Sequence, residues 1–380
     1  MPDMEGSATR SWWRRPKLIV PLSVLLVVAL ALAGTLAFAS RGPNEPNAYQ
    51  QLYHQTWQQV NHRFYDPDQL LDWENLEHAY DDEIDSREDA LRYANQMLNL
   101  SGDRFADLFD TSNGGGLFNS LNQHGPEHAT DQPPAGGSDE DDSTERPKAV
   151  TVVRSTEGID YIWLRSFLVK DVSTMMSEAL EATADGKALI IDLRFNGGGY
   201  TDEAVKIAQL FMDEGVIVKF RERVPATETY QDVTIRLTAT EVITETTDPQ
   251  GNVDTKSEPR LENLIGDKPV IVLINGGSAS ASELLSGALK DNDRALLLGT
   301  RTFGKGVGQS VIKLAEDTEL HVTTMRVFTP SGHWVGDGDQ QRYGLEPHQE
   351  VKPLSRSTVG GADDNQLHAA IEILREKLAS

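Results

Sequence analysis

Apolar residues recur at helical spacing over residues 46–110, first as Tyr53, Trp57, Val60 and Phe64, then as Leu91, Ala94, Met97 and Leu98. That period predicts an amphipathic helical subdomain over 46–112 that packs against a larger core. Asp66-Pro67-Asp68 breaks the first helix and suits an N-cap for the next element. Between Asn113 and Lys148 the pattern collapses. Gly114-Gly115-Gly116, Pro133-Pro134, Gly136-Gly137 and Asp139-Glu140-Asp141-Asp142 predict a solvated acidic linker over 113–148.

Order returns over 149–380. Val150–Val153 and Ile159–Leu164 read as strands, and residues 171–185 as a helix. Ala188–Arg194 is an apolar strand that runs into Asn196-Gly197-Gly198-Gly199, and a helix continues from Asp202 to Met212. Strand, glycine turn, helix is the grammar of a buried sheet covered by helices. Val233, Ile235 and Leu237 alternate as a half-exposed strand, and residues 240–262 read as a polar insertion. Pro269–Asn275 is a further buried strand leading into a serine-rich turn and a helix from Ala281 to Lys290. Ala295–Leu298 and Leu320–Thr324 read as strands, and Asp364–Leu378 as a C-terminal helix.

One apolar segment stands apart. Arg10, Arg14, Arg15 and Lys17 precede a charge-free run from Leu18 to Ala39. This predicts a basic cytoplasmic tail (1–17) and a transmembrane anchor or signal peptide (18–40), with the rest of the chain outside the inner membrane, in the periplasm or beyond the cell. Ala37-Phe38-Ala39 keeps a cleaved signal peptide open as the alternative. The 59 acidic against 35 basic residues give a net charge of −24, which argues against nucleic acid as a partner. With no cysteine in the chain, thiolate catalysis and cysteine-bound zinc are excluded.

The chemistry gathers in two segments, Gly277-Ser278-Ala279-Ser280-Ala281-Ser282-Glu283 and Thr302-Phe303-Gly304-Lys305-Gly306. Ser280 stands where a strand hands over to a helix, so its hydroxyl meets free N–H groups and the positive end of the helix dipole. Those donors suit the oxyanion of a tetrahedral intermediate. The competing reading makes Ser280 an N-cap with Glu283 completing a capping box. Lys305, flanked by glycines, can enter a crevice and act as a general base once desolvated. Gln309 could bond the amine and hold it towards Ser280. The run Gly299–Gly306 approaches a phosphate-binding loop but ends in glycine where Ser or Thr should stand. His321, His333 and His348 lie downstream of Ser280, but no nucleophile-elbow motif supports a histidine triad. No histidine or carboxylate spacing points to a metal.

Taken with Asp192–Gly199 and Thr329-Pro330-Ser331-Gly332, these segments resemble the carboxyl-terminal processing (tail-specific) serine peptidases. The resemblance implies an α/β, ClpP/crotonase-like catalytic core over 149–380 with an N-terminal helical subdomain. It implies Ser280 as nucleophile, Lys305 as general base and Gln309 as the residue that orients the lysine. The oxyanion hole would be the N–H groups of Ala281 and Gly198, with Gly199 as the alternative to Gly198, and Asp291 would be structural support. No metal or organic cofactor is implied. Such proteins usually carry a PDZ domain between helical region and core, where this sequence has only the acidic linker. The expected partners are therefore protein or peptide substrates, the inner membrane through the N-terminal helix, and an adaptor protein in place of the PDZ domain. The alternative from another class is a non-proteolytic binding or scaffold protein on the same fold.

Overall fold

A computed structural model describes residues 46–111, 149–153, 158–336, 343–355 and 358–380. The predicted basic tail, apolar segment and acidic linker lie outside these residues. No helix among the described residues is long and apolar enough to cross a membrane.

The described elements are α1 (Ala48–Arg63), α2 (Arg87–Leu100), β1 (Asp107–Asp110), β2 (Val150–Val153), β3 (Ile159–Leu164), α3 (Val172–Ala182), β4 (Ala188–Asp192), α4 (Thr201–Gln209), β5 (Gly215–Arg223), β6 (Tyr230–Leu237), β7 (Glu241–Thr247), β8 (Val253–Pro259), β9 (Val270–Ile274), α5 (Ala281–Asp291), β10 (Leu296–Gly299), β11 (Val307–Ala315), β12 (Thr318–Phe328), β13 (Gln349–Glu350) and α6 (Asn365–Ala379). They confirm the α/β class. One sheet runs β13-β10-β9-β4-β3-β2, parallel except at the β2–β3 pair. The other is antiparallel, β1-β12-β5-β6-β7-β8, with β11 also paired to β12.

Strand periodicity explains the layering of the parallel sheet. Ile162, Leu164, Leu189, Ile191, Val270, Val272 and Ile274 face α3, α4 and α5 in the main core. The alternate residues Ile159, Tyr161, Ala188, Ile190, Ile271 and Leu273 meet Ala370 and Leu374 of α6 on the other face. Two covered faces favour strands that are apolar at nearly every position, which is why β9 and β4 as far as Ile191 read as unbroken hydrophobic runs. Each fully buried Leu or Ile there contributes about 1.5–3 kcal/mol of burial free energy.

The helical region has its own core, where Leu52, Tyr53, Val60, Ala94 and Met97 close over Leu320 and Val322 of β12. It is not helical throughout. Residues 107–110 form β1, paired antiparallel with β12. The polar insertion is likewise ordered, as the β7–β8 hairpin at the sheet edge.

Candidate active site

Strand β9 ends at Ile274 and α5 begins at Ala281, so the serine turn fills the gap between them. Its anchors are buried polar contacts. Ser278 Oγ donates to the Leu193 carbonyl at 2.8 Å, and Ser282 Oγ to the Asn196 carbonyl, also at 2.8 Å. Those bonds lash the serine turn to the glycine turn after β4. Ser280 itself sits at φ 56°, ψ −115°, a conformation side chains rarely adopt. Backbone strain of this kind at a strand-to-helix turn is how a nucleophile is thrust out of a sheet.

Glu283 ties the serine turn to the lysine loop. Its Oε2 accepts the N–H of Ser280 at 2.9 Å and that of Lys305 at 2.8 Å. Its Oε1 accepts Gly304 N–H at 2.7 Å and the Thr302 hydroxyl at 2.5 Å. The contact from Ser280 N–H belongs to the predicted capping box, but the same carboxylate does far more. Burial pushes the Glu283 carboxyl up to about 7, against the opposing pull of its hydrogen bonds from Thr302, Gly304, Ser280 and Lys305.

Lys305 is 9% exposed. Gly306 makes that depth possible, because a Cβ there would lie 2.0 Å from Gly336 N. Burial lowers the Lys305 amine from 10.5 to about 8; Asp103 and Glu283 pull it up and Arg104 pushes it further down. The amine donates to Gln309 Oε1 at 3.2 Å and lies 4.9 Å from the centre of the Phe105 ring. A register shift between Gly308 and Gln309 in β11 aims the glutamine inward. No hydrogen bond joins Lys305 Nζ to Ser280 Oγ among the described residues. Both nevertheless line one cleft of about 200 Å³ with Gly199, Ala281 and Gln309.

The two predicted oxyanion glycines separate. Gly198 N–H is already committed to Asn196 Oδ1 at 3.0 Å. Gly199 N–H has no partner among the described residues, and Gly199, unlike Gly198, lines the cleft. Its φ of 145°, and a Cβ position only 2.2 Å from Phe167 C, admit glycine alone. The unpartnered N–H is thus that of Gly199, the expected alternative, while Gly198 abuts the serine turn, a Cβ there lying 2.8 Å from Ser280 Cβ and 2.9 Å from Ala281 N.

The predicted neighbours are placed as well. Asp291 Oδ2 accepts Ser331 N–H at 2.9 Å and so supports the turn at Thr329–Gly332. His321 is 1% exposed, and burial first, with Lys305 nearby, drops it to about 4, leaving a neutral ring outside the cleft lining. His348 Nδ1 accepts Leu297 N–H at 2.9 Å, a bond that docks the segment before β13 on β10. The phosphate-loop decoy continues into strand β11 and not into a helix. Asp103, Arg104 and Phe105, from the helical region, are residues near the lysine that sequence periodicity did not mark.

Residues 158–351 match the description Peptidase family S41, just over half of the 380-residue chain. This chain belongs to peptidase family S41. A carboxy-terminal-processing protease of Bartonella bacilliformis is 36% identical over 191 residues, covering 49% of this chain and 38% of the relative. A carboxyl-terminal-processing protease of Synechocystis is 32% identical over 226 residues, 58% of this chain and 45% of the relative. These matches span less than half the length of the relatives. Among solved structures, a photosystem II D1 C-terminal processing protease superposes with TM-score 0.55 at 21% identity, over 80% of this chain and 94% of that one. A Streptococcus agalactiae lipoprotein gives 0.57 at 13% identity, over 89% and 100%. At these identities the two structures share its fold.

Proposed function

We infer that this S41 chain is a membrane-anchored, extracytoplasmic serine endopeptidase with a Ser280–Lys305 dyad. The observation that carries the reading is the Glu283 carboxylate, which holds the backbone of both residues so that strained hydroxyl and desolvated amine face one cleft.

Ser280 Oγ attacks the scissile carbonyl carbon and gives its proton to Lys305 Nζ. The C–N bond breaks as that proton passes to the leaving amine, and water then hydrolyses the ester with Lys305 again as base. The N–H groups of Ala281 and Gly199 take the oxyanion. Gln309 holds the amine in the cleft that Ser280 also lines, and the Oγ–Nζ hydrogen bond forms as substrate fills it. Phe220, Leu284, Val311, Met325 and Val327 line that cleft, which suits an apolar side chain beside the scissile bond.

The names of the relatives support polypeptide C-terminal tails as substrates. The acidic linker that stands in the place of a PDZ domain supports loose specificity or an adaptor protein. The basic residues before Leu18–Ala39 support an N-in anchor in the inner membrane.

Full-length protein should cleave an unfolded polypeptide and take a fluorophosphonate label on Ser280. Ser280→Ala and Lys305→Ala should each abolish cleavage; retained activity in either sinks the dyad. An unlabelled, inactive wild type would favour a scaffold. Extraction of the chain from membranes by alkaline carbonate would remove the anchor from the reading.

A further inference from the structure

The helical region carries a second group of chemistry-bearing side chains, away from the cleft. His54 lies on α1, His78 in the connection towards α2, and Asp81 opens a single 3-10 turn, Asp81–Glu83. His54 Nε2 is 2.6 Å from Asp81 Oδ1, and His78 Nδ1 is 2.9 Å from Asp81 Oδ2. The two imidazoles cross edge to face with centroids 4.7 Å apart. One ring nitrogen from each and a carboxylate oxygen all fall within 4.8 Å of one another. No other such trio occurs among the described residues. Side-chain exposure rises from 18% at His54 through 32% at Asp81 to 66% at His78, so the cluster is rooted in the protein and open on one side.

We propose that His54, His78 and Asp81 bind a zinc ion. Two imidazoles and one carboxylate form the mixed nitrogen and oxygen set that zinc takes, with water completing a tetrahedron from the open side. Calcium and magnesium call for oxygen ligands and are poorly served here. Zinc ligands stand about 2.0–2.2 Å from the metal, which puts them roughly 3.3 Å from each other. The two rings now meet different oxygens of Asp81, and the ligand atoms lie within 4.8 Å of one another, so closing onto an ion turns one carboxylate oxygen toward both rings and draws the widest pair together by up to about 1.5 Å.

Proton bookkeeping is simple. Each ring turns toward the carboxylate the nitrogen that would ligate the ion. On binding, that nitrogen presents its lone pair and any proton on it moves to the other ring nitrogen; a ring that begins protonated releases one proton. The backbone is already in position, since Gln50 Nε2 of α1 donates to the Asp81 carbonyl at 2.7 Å. Nor is the site legible as a motif, because His54 stands far in sequence from the His78-x-x-Asp81 pair. An ion here would fasten α1 to the segment that leads into α2.

The test uses full-length protein stripped with chelator, then titrated with zinc chloride by calorimetry and melted with and without zinc. One saturable site per chain and a raised Tm are expected. His54→Ala and His78→Ala should each weaken zinc binding by at least about 10-fold, as should the isosteric Asp81→Asn. If His54→Ala fails to fold, His78→Ala decides, because its side chain is mostly exposed. No saturable binding, binding undiminished in His78→Ala, or calcium binding as tightly as zinc each overturns the proposal.

Discussion

Gln309 links Phe105 to Lys305: its Nε2 donates to the Phe105 carbonyl at 2.6 Å while its Oε1 accepts the lysine amine at 3.2 Å. The helical region thereby fixes the amide that holds the lysine. Gln309→Ala should lower kcat about 100-fold with little change in KM, the scale of a mispositioned catalytic group. Gln309→Glu keeps the acceptor but adds negative charge, which favours the ammonium and moves the acidic limb of the pH profile upward. Wild-type turnover in Gln309→Ala would deny the glutamine a positioning role.

The proposed dyad needs Lys305 neutral, since only the free amine can take the Ser280 proton. With its amine brought down to about 8 by burial, kcat/KM should climb as pH rises through about 8 and then level. Arg104 contributes to that lowering, so Arg104→Ala should shift the limb to higher pH. A profile limb centred near 10 would show that the base is not a desolvated lysine.

The legibility of each feature in sequence depends on the range of the interaction that makes it. The runs Ala188–Arg194 and Pro269–Asn275 announce doubly buried strands because nearly every position is apolar, and Ser280, Lys305 and Gln309 sit in or beside locally punctuated turns. β1 was hidden because Asp107–Asp110 is strand only through its pairing with β12. Gly198 and Gly199 are indistinguishable in sequence; which N–H is free depends on Asn196 folding its side chain back onto the turn. Phe105 reaches the lysine across a separation of 200 residues, beyond any periodicity.

Keeping a lysine buried has a thermodynamic cost with a definite sign. The unfolded chain binds this proton more tightly, at 10.5 against about 8. Below pH 8 the folded state carries the full penalty, and stability recovers as pH rises from 8 towards 10.5. Lys305→Met should be inactive yet more stable at pH 7 by up to about 3 kcal/mol, at 1.36 kcal/mol per pH unit. Urea unfolding at pH 7 and pH 10 should show that gain shrinking at the higher pH. A less stable variant at pH 7 would mean that the contacts to Gln309 and Phe105 outweigh desolvation.

Glu283 can be tested by an isosteric change. Glu283→Gln puts an NH2 group where one carboxylate oxygen now accepts two donors, so either the Ser280 and Lys305 amides or Thr302 and Gly304 lose their partner. The fold should survive, while cleavage falls about 100-fold or more through displacement of Ser280 and Lys305. Circular dichroism separates that outcome from unfolding. Full activity in a folded Glu283→Gln would show that the two turns hold their geometry without the shared carboxylate.

The strain at Ser280 predicts an inversion of the usual glycine penalty. At φ 56°, ψ −115° a Cβ is held in a region where glycine sits freely. Such strain costs about 1–3 kcal/mol, which the bond from Ser280 N–H to Glu283 and the closing of α5 offset. Ser280→Ala deletes the hydroxyl but keeps the Cβ; Ser280→Gly deletes both. Elsewhere glycine is less stable than alanine by about 0.5–1 kcal/mol through chain entropy. Here the relief exceeds that loss, so Ser280→Gly should unfold at higher urea concentration than Ser280→Ala by about 1 kcal/mol, both variants being inactive. Glycine equal to or below alanine would show that the turn relaxes without cost, and that the hydroxyl is presented by ordinary capping geometry.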